Sequence, residues 1–219
     1  MSTTYISSKK ETDPSEVPSE SQADRRVVYQ YKVILLGDIA VGKSAILRRF
    51  TDNEFSKEYV CTVGVEYRIK TIMLDSKTGT DLKIWDTCGA EQFRSLTKQF
   101  FRESNGAILV FDLTNRTTFE HLNDWLKDLK NNAPEYCQIY IAGNKADLEG
   151  KRQVLPVEIQ DFLEDHKDLK YLEVSAKTGT NIVLMFEDLS SLIAKSMENT
   201  ANQEEQVEKR VYKVDKKVT

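Results

Sequence analysis

Cysteine, histidine and long apolar runs are scarce in this chain, and each shortage removes a class of explanation. The 219 residues include 3 cysteines, Cys61, Cys88 and Cys137, odd in number and far apart. That usage suits a reducing compartment and excludes a disulfide framework or a metal knuckle. The 2 histidines, His121 and His166, fall in segments of helical pattern away from every motif, where they read as surface residues with no assigned chemistry. No stretch approaches the apolar length of a membrane-crossing helix, and the N-terminus lacks the apolar core of a secretory signal, so a cytoplasmic protein is expected. A basic excess is missing too. The net charge of −4 provides no global field for nucleic acid.

What is present is an ordinary globular composition, enough for one domain with a sizeable core and loose ends. Residues 1–28 are polar, carry Pro14 and Pro18, and show no apolar periodicity; a disordered extension is expected there. Residues 29–196 read as the folded domain. Buried-strand patterns occur at Tyr31–Leu36, Ala107–Phe111, Gln138–Ala142 and Tyr171–Val174. Val65–Leu74 alternates apolar with polar residues, and Asp75–Thr80 supplies a turn into a strand at Asp81–Trp85, which predicts an antiparallel hairpin. Helical spacing is found in Phe119, Leu122, Trp125, Leu126 and Leu129, then after Pro156 to about His166, and again in Ile182, Met185, Phe186, Leu189, Leu192 and Ile193. Strand and helix alternate almost throughout. An α/β domain follows, with a mainly parallel sheet, helices over it and one antiparallel edge.

The strongest local signal is Gly37-Asp38-Ile39-Ala40-Val41-Gly42-Lys43-Ser44, between the Tyr31–Leu36 strand and a helical segment beginning at Ala45. Gly-x-x-x-x-Gly-Lys-Ser in that setting is a phosphate-binding loop, its backbone N–H groups turned inward at the positive end of a helix. Lys43 would reach the β- and γ-phosphates and Ser44 would ligate Mg²⁺. Asp86-Thr87-Cys88-Gly89 ends the Trp85 strand, where Asp86 can hold Mg²⁺ through water and the Gly89 N–H can approach a γ-phosphate. Asn144-Lys145-Ala146-Asp147 directly follows the Ile139 strand. The Asp147 carboxylate can accept from N1–H and the exocyclic amine of guanine, a donor pair that adenine lacks. Asn144 and the Lys145 stem would buttress that loop, and Ser175-Ala176-Lys177 offers a backbone N–H to guanine O6. The order and placement of these pieces at strand ends point to guanine nucleotide, GTP or GDP.

With these residues in view, the stretch from about 30 to 195 resembles a small GTPase of the Ras superfamily, and within it a Rab. The Rab-like segments are Val63–Ile72, Leu82–Thr87, Gln92–Thr97 and Phe111–Asn115. The resemblance implies a three-layer P-loop domain with a six-stranded sheet and about five helices, and a switch that hydrolyses GTP and recruits effectors in vesicle traffic. It implies that Thr62 meets Mg²⁺ and the γ-phosphate, so Lys43, Thr62 and Gly89 form the catalytic set and Ser44, Thr62 and Asp86 the metal set. It also implies that Phe55 packs on the guanine and that Ala45 and Tyr59 join the nucleotide-facing residues. Thr62, Gly64, Val65, Tyr67, Trp85, Phe93 and Phe100 would face effectors, although Tyr67, Trp85 and Phe100 can equally be read as core. An exchange factor, and an activating protein, would be further partners of a monomer recruited to endomembranes.

The departures from the Rab pattern matter as much. Ala90 stands where Rabs usually carry the glutamine that orients the attacking water; a methyl group cannot do so, unless Glu91, Gln92 or a partner replaces it. Ile39 and Ala40 occupy positions where Rabs commonly have small residues, and Ile39 either crowds the γ-phosphate or points outward. Slow hydrolysis is expected, with a hydrolysis-deficient GTP-bound scaffold as the alternative. A P-loop nucleotide kinase is disfavoured, because no lid motif accompanies the guanine-reading loop. No cysteine follows Cys137 and position 2 is Ser2, so neither common lipid anchor is expected. Residues 197–219 read as a flexible polar and basic tail. Val207, Val211, Val214 and Val218 stand at heptad-like spacing there, but valine makes a weak helix and a weak anchor.

Overall fold

The computed structural model describes residues 27–58, 62, 64–76, 78–89 and 98–215. Six strands form a single sheet in the order β2-β3-β1-β4-β5-β6: β1 (Val27–Leu36), β2 (Val65–Met73), β3 (Thr78–Thr87), β4 (Gly106–Asp112), β5 (Gln138–Asn144) and β6 (Lys170–Glu173). All pairings are parallel except β2 with β3. The α-helices, in chain order, are α1 (Lys43–Asp52), α2 (Arg116–Glu120), α3 (Leu122–Asn132), α4 (Pro156–Asp165) and α5 (Ile182–Asp215). The expected α/β architecture is present, antiparallel edge included.

Alternation along β1 builds both faces of the core. Val33 and Leu35 point toward α1 and α5, where they meet Ile46, Phe50, Phe186 and Leu189. Ile34 and Leu36 point to the other side, into a cluster with Leu122, Trp125, Leu126 and Ile159 of α3 and α4. A strand buried on both faces must be apolar at consecutive positions, which is why these runs lack period-two polarity. Stacked Phe50 and Phe186 rings, with centroids 3.9 Å apart, join α1 to α5 across the first cluster.

Three boundaries differ from expectation. Thr78, Gly79 and Thr80, expected in the turn, open β3, because they pair with Val27, Val28 and Tyr29 of a β1 that itself begins earlier. The helix expected through Phe119 and Leu129 is divided at His121 into α2 and α3. The tail expected to be flexible from residue 197 instead continues α5 through Asp215; after Gly179 the sequence has no glycine or proline to end a helix, and Glu, Gln and Lys propagate one well. The expected extension at residues 1–26 lies outside the described residues. Among those described, no helix is long and apolar enough to cross a membrane.

The strand order places the site. The chain leaves β1 for the β2–β3 pair on one side and later crosses to β4 on the other, so the loop after β1 sits at a topological switch point, at the carboxyl ends of the parallel strands. Gly37 makes that exit possible. It has φ 132°, and a Cβ there would lie 2.1 Å from the Val110 carbonyl oxygen of β4. Gly37→Ala should therefore cost more than about 2 kcal/mol, since both backbone conformation and close approach forbid a side chain. Chemical denaturation would register this as a lower midpoint; an unchanged midpoint would contradict the packing.

Candidate functional site

The phosphate loop connects β1 to α1. Gly42 has φ 102° and precedes Lys43, the first helical residue, and no side chain caps this end of α1. Its first N–H groups are therefore left to an anion. Lys43 is buried, and its ammonium donates to the carbonyls of Gly37 at 2.9 Å and Asp38 at 2.8 Å, which holds it over the cleft. Ile39, Ala40, Ser44, Cys88 and Gly89 are among the residues lining a cavity of about 260 Å³ beside it. Gly89 tolerates no side chain: a Cβ would be 2.4 Å from Lys43 Nζ and 2.5 Å from the Asp38 carbonyl oxygen. Val41, part of the expected phosphate loop, is fully buried in the core, and its carbonyl accepts from Asn144.

Ser44, Thr62 and Asp86 converge as expected for the metal set. Ser44 Oγ lies 2.8 Å from Thr62 Oγ1 and donates a short hydrogen bond to Asp86 Oδ2, and Thr62 Oγ1 is 3.3 Å from the same oxygen. Asp86 is buried, and its Oδ1 has no hydrogen-bond partner. A desolvated carboxylate oxygen without a partner, beside two hydroxyls, fits a hard divalent cation. Among the described residues no cluster of three or more His, Cys, Asp or Glu could hold a metal. This single-carboxylate set therefore suits Mg²⁺ shared with phosphates.

The base-reading lobe adjoins the first. Phe55, Lys57 and Lys145 line both cavities, and Asp147, Ala176 and Lys177 line the second, of about 290 Å³. Asp147 accepts from Ser175 Oγ at 2.7 Å and pairs with Lys177 at 3.3 Å. Burial alone would raise its pKa, but the Ser175 and Lys177 hydrogen bonds and the Lys177 charge together hold the carboxyl below its ordinary value. Asn144 donates to the Val41 carbonyl at 2.8 Å and accepts from the Ala176 N–H at 3.2 Å. Lys145 lies in the left-handed region at φ 67° and pairs with Asp112 at 2.6 Å.

Sequence reasoning missed several participants. Asp112 ends a buried apolar strand just as Asp86 does, a signal that was available. Arg49 donates to the carbonyls of Ala176 and Lys177, both at 2.8 Å, fixing the Ser175–Lys177 loop to α1; nothing local marks a contact across more than a hundred positions. His121, assigned no chemistry, meets Asp38 Oδ2 at 2.6 Å. The Asp38 side chain turns away from the cleft toward His121 and Trp125, while its carbonyl meets Lys43. The aromatic group runs from core to surface: Trp85 and Phe100 are partly buried, Trp85 packs on the core, and Tyr67 is 48% exposed, with Tyr67–Trp85 centroids 5.0 Å and Trp85–Phe100 centroids 5.5 Å apart. Gly64 is exposed at φ 79° and its carbonyl accepts from the Cys88 N–H at 3.2 Å, while Val65 opens β2. Tyr59, Ala90 and Phe93 lie outside the described residues.

Burial raises the Asp86 pKa above the ordinary carboxyl value, only partly offset by the Ser44 hydrogen bond, the Lys43 charge and the Thr62 hydrogen bond. A carboxyl raised in the folded state destabilises the chain while ionised, and that cost disappears as pH falls through the raised value. Protons also compete with the cation over the same window. Asp86→Asn should therefore melt higher than the parent in excess EDTA at neutral pH, yet lose more than about tenfold in Mg²⁺-dependent nucleotide affinity. A lower melting temperature in EDTA, or unchanged affinity, would contradict this account of the carboxylate.

A model of the Ras family matches residues 32–195. The chain is 43% identical over 164 residues to Ras-related protein Rab11A of Lotus japonicus, covering 75% of this chain and 72% of that one. It is 40% identical over 165 residues to Ras-related protein Rab-11A of Dictyostelium discoideum, covering 75% and 76%. A 40% identity to Ras-related protein RABA4d of Arabidopsis thaliana extends over 163 residues, 74% and 72% of the two chains. Its sheet, its phosphate loop and these likenesses agree: the chain belongs to the Ras family, as a small GTPase of the Rab type.

Proposed function

We propose that this protein is a guanine-nucleotide switch of vesicle traffic whose GTP-bound form is long-lived because its hydrolytic step is weakened. The observation that carries the slow step is the wall of the phosphate lobe. Ile39 is 50% exposed and lines that cavity, so an aliphatic side chain fills space where a water-orienting amide or a partner's guanidinium would have to enter. Ala90, at the position where the Rab pattern has its glutamine, supplies no polar group.

The remaining machinery supports binding. Lys43 would neutralise the β- and γ-phosphates, the uncapped start of α1 would donate to them, and the Asp147 carboxylate would accept the two guanine donors. Ser44, Thr62 and Asp86 would hold Mg²⁺, which when bound neutralises phosphate charge. Thr62 and Gly89 link the γ-phosphate end to the two segments that change with nucleotide state. The half-exposed Tyr67, with Lys83 Nζ 4.2 Å from its ring centroid, Trp85 and Phe100 offer effectors a surface adjoining both segments. Recruitment to endomembranes would follow from such partners, and exchange factors would reload the switch.

Single-turnover hydrolysis of bound GTP tests the slow step. Ala90→Gln should raise the rate by about 10². A parent rate equal to that of an ordinary Rab, with no gain in Ala90→Gln, would overturn the proposal; a parent rate too slow to measure would favour a scaffold that holds GTP constitutively. Asp147→Asn should shift preference from GTP toward xanthosine triphosphate, because the amide donates where the carboxylate accepted. Unchanged GTP preference in competition binding would remove Asp147 from base reading.

A further inference from the structure

Asp38 faces two ways. Its carboxylate leaves the cleft and takes a hydrogen bond from Trp125 Nε1 at 2.8 Å through Oδ1 and from His121 Nδ1 at 2.6 Å through Oδ2. An ionised carboxylate only accepts, so Nδ1 carries the hydrogen in this arrangement. Trp125 is buried at 2% exposure in the cluster under the sheet, so its N–H is a fixed point. His121 closes the other side from the junction between α2 and α3. The Asp38 side chain is only 15% exposed, and each of its oxygens has a donor. The main chain of the same residue faces the cleft, where its carbonyl accepts from Lys43 Nζ at 2.8 Å and is the surface against which Gly89 is pressed.

We propose that His121 and Trp125 are positioning residues that clamp Asp38 and thereby set Gly89 against the γ-phosphate. This inference rests on the reading of the site as a guanine-nucleotide switch. The clamp acts on one end of the ligand only. Guanine is met by Asp147, Asn144 and the Ser175–Lys177 loop, held by β5 and by Arg49 of α1, none of which touches Asp38. The β-phosphate keeps the start of α1 and Lys43, which the Gly37 carbonyl also holds at 2.9 Å. Gly89 fits directly against Asp38, whose carbonyl oxygen a Cβ there would approach to 2.5 Å, so a loosened Asp38 is felt where GTP and GDP differ. A clamp that merely satisfied a buried carboxylate would affect both nucleotides alike.

The test measures dissociation of fluorescent GTP and GDP analogues from the full chain in Mg²⁺. His121→Ala and Trp125→Phe, the second keeping an aromatic ring while deleting the N–H, should each release the GTP analogue about tenfold faster while GDP changes by less than about twofold, in keeping with loss of one charge-assisted bond. His121→Asn, whose amide N–H₂ can donate from near the place of Nδ1, should restore slow GTP release. Equal acceleration of both nucleotides, or none of either, overturns the clamp. Should Trp125→Phe fail to fold, His121→Ala decides alone, since its side chain is 37% exposed. A parent chain that binds neither GTP nor GDP would overturn the nucleotide reading itself, and this inference with it.

Discussion

The buried amide of Asn144 is the constraint on which the site depends. Its N–H₂ holds the Val41 carbonyl in the phosphate loop, and its oxygen takes the Ala176 N–H in the base loop. A Cβ on Gly42 would lie 2.3 Å from that nitrogen, so the amide stands where no side chain could. One side chain therefore fixes the separation of two loops that are far apart in sequence, one for phosphates and one for a base. Asn144 is 2% exposed. At that depth an unsatisfied amide is costly, so the two loops are held together or the core is disturbed.

Charge explains why the other end can switch. Lys43 and Asp86 are both nearly fully buried, and the cation is satisfied by two carbonyls while the carboxylate keeps one oxygen without a donor. That asymmetry makes Asp86 a poor partner for its own fold and a good one for a cation. Thr62 Oγ1 joins this cluster at 2.8 Å from Ser44 Oγ and 3.3 Å from Asp86 Oδ2. A threonine bonded to the very groups that would share a cation is tied to that common centre, which is the physical requirement for order to follow the ligand's charge.

Most of the architecture was legible because buried parallel strands leave an unmistakable apolar trace, as Ile34 to Leu36 and Ala107 to Phe111 do, and because phosphate loops are local in sequence. Boundaries were less legible where a neighbour decided them. Thr78 to Thr80 look like a turn until β1 is seen alongside, and residues beyond 197 look loose until their helix is seen to run on from Ile193 without interruption. In the site, Lys43, Ser44, Asp86 and Asp147 followed from chemistry near strand ends. Arg49, His121 and Trp125 did not, because their partners are set by tertiary packing; an arginine on a helix or a histidine after one has no local mark of what it reaches. Asp38 adds a further case: motif membership speaks for its main chain at the loop, while the side chain reaches His121 and Trp125 on the far face, a placement that no local pattern marks.

That division of the loop gives its odd interior a meaning. Asp38 points outward to α3 and Ile39 lines the cleft, so adjacent residues alternate between anchoring the loop and filling it. Ala40 follows at φ 62°, a conformation that glycine would adopt without the roughly 1 kcal/mol that an L-residue incurs. The loop keeps its shape although the residue there is not the cheapest one, which requires the surrounding bonds to over-determine it. Lys43 to the Gly37 and Asp38 carbonyls, Asn144 to Val41 and Asp38 to Trp125 supply that determination. A loop held from both ends can accept a bulky Ile39 in its middle without opening, and what the side chain displaces is then not the phosphate but the space around it. Holding the loop and shaping the cleft are thereby separate tasks: the backbone is fixed from behind by these bonds, while the Ile39 side chain lines the cavity in front.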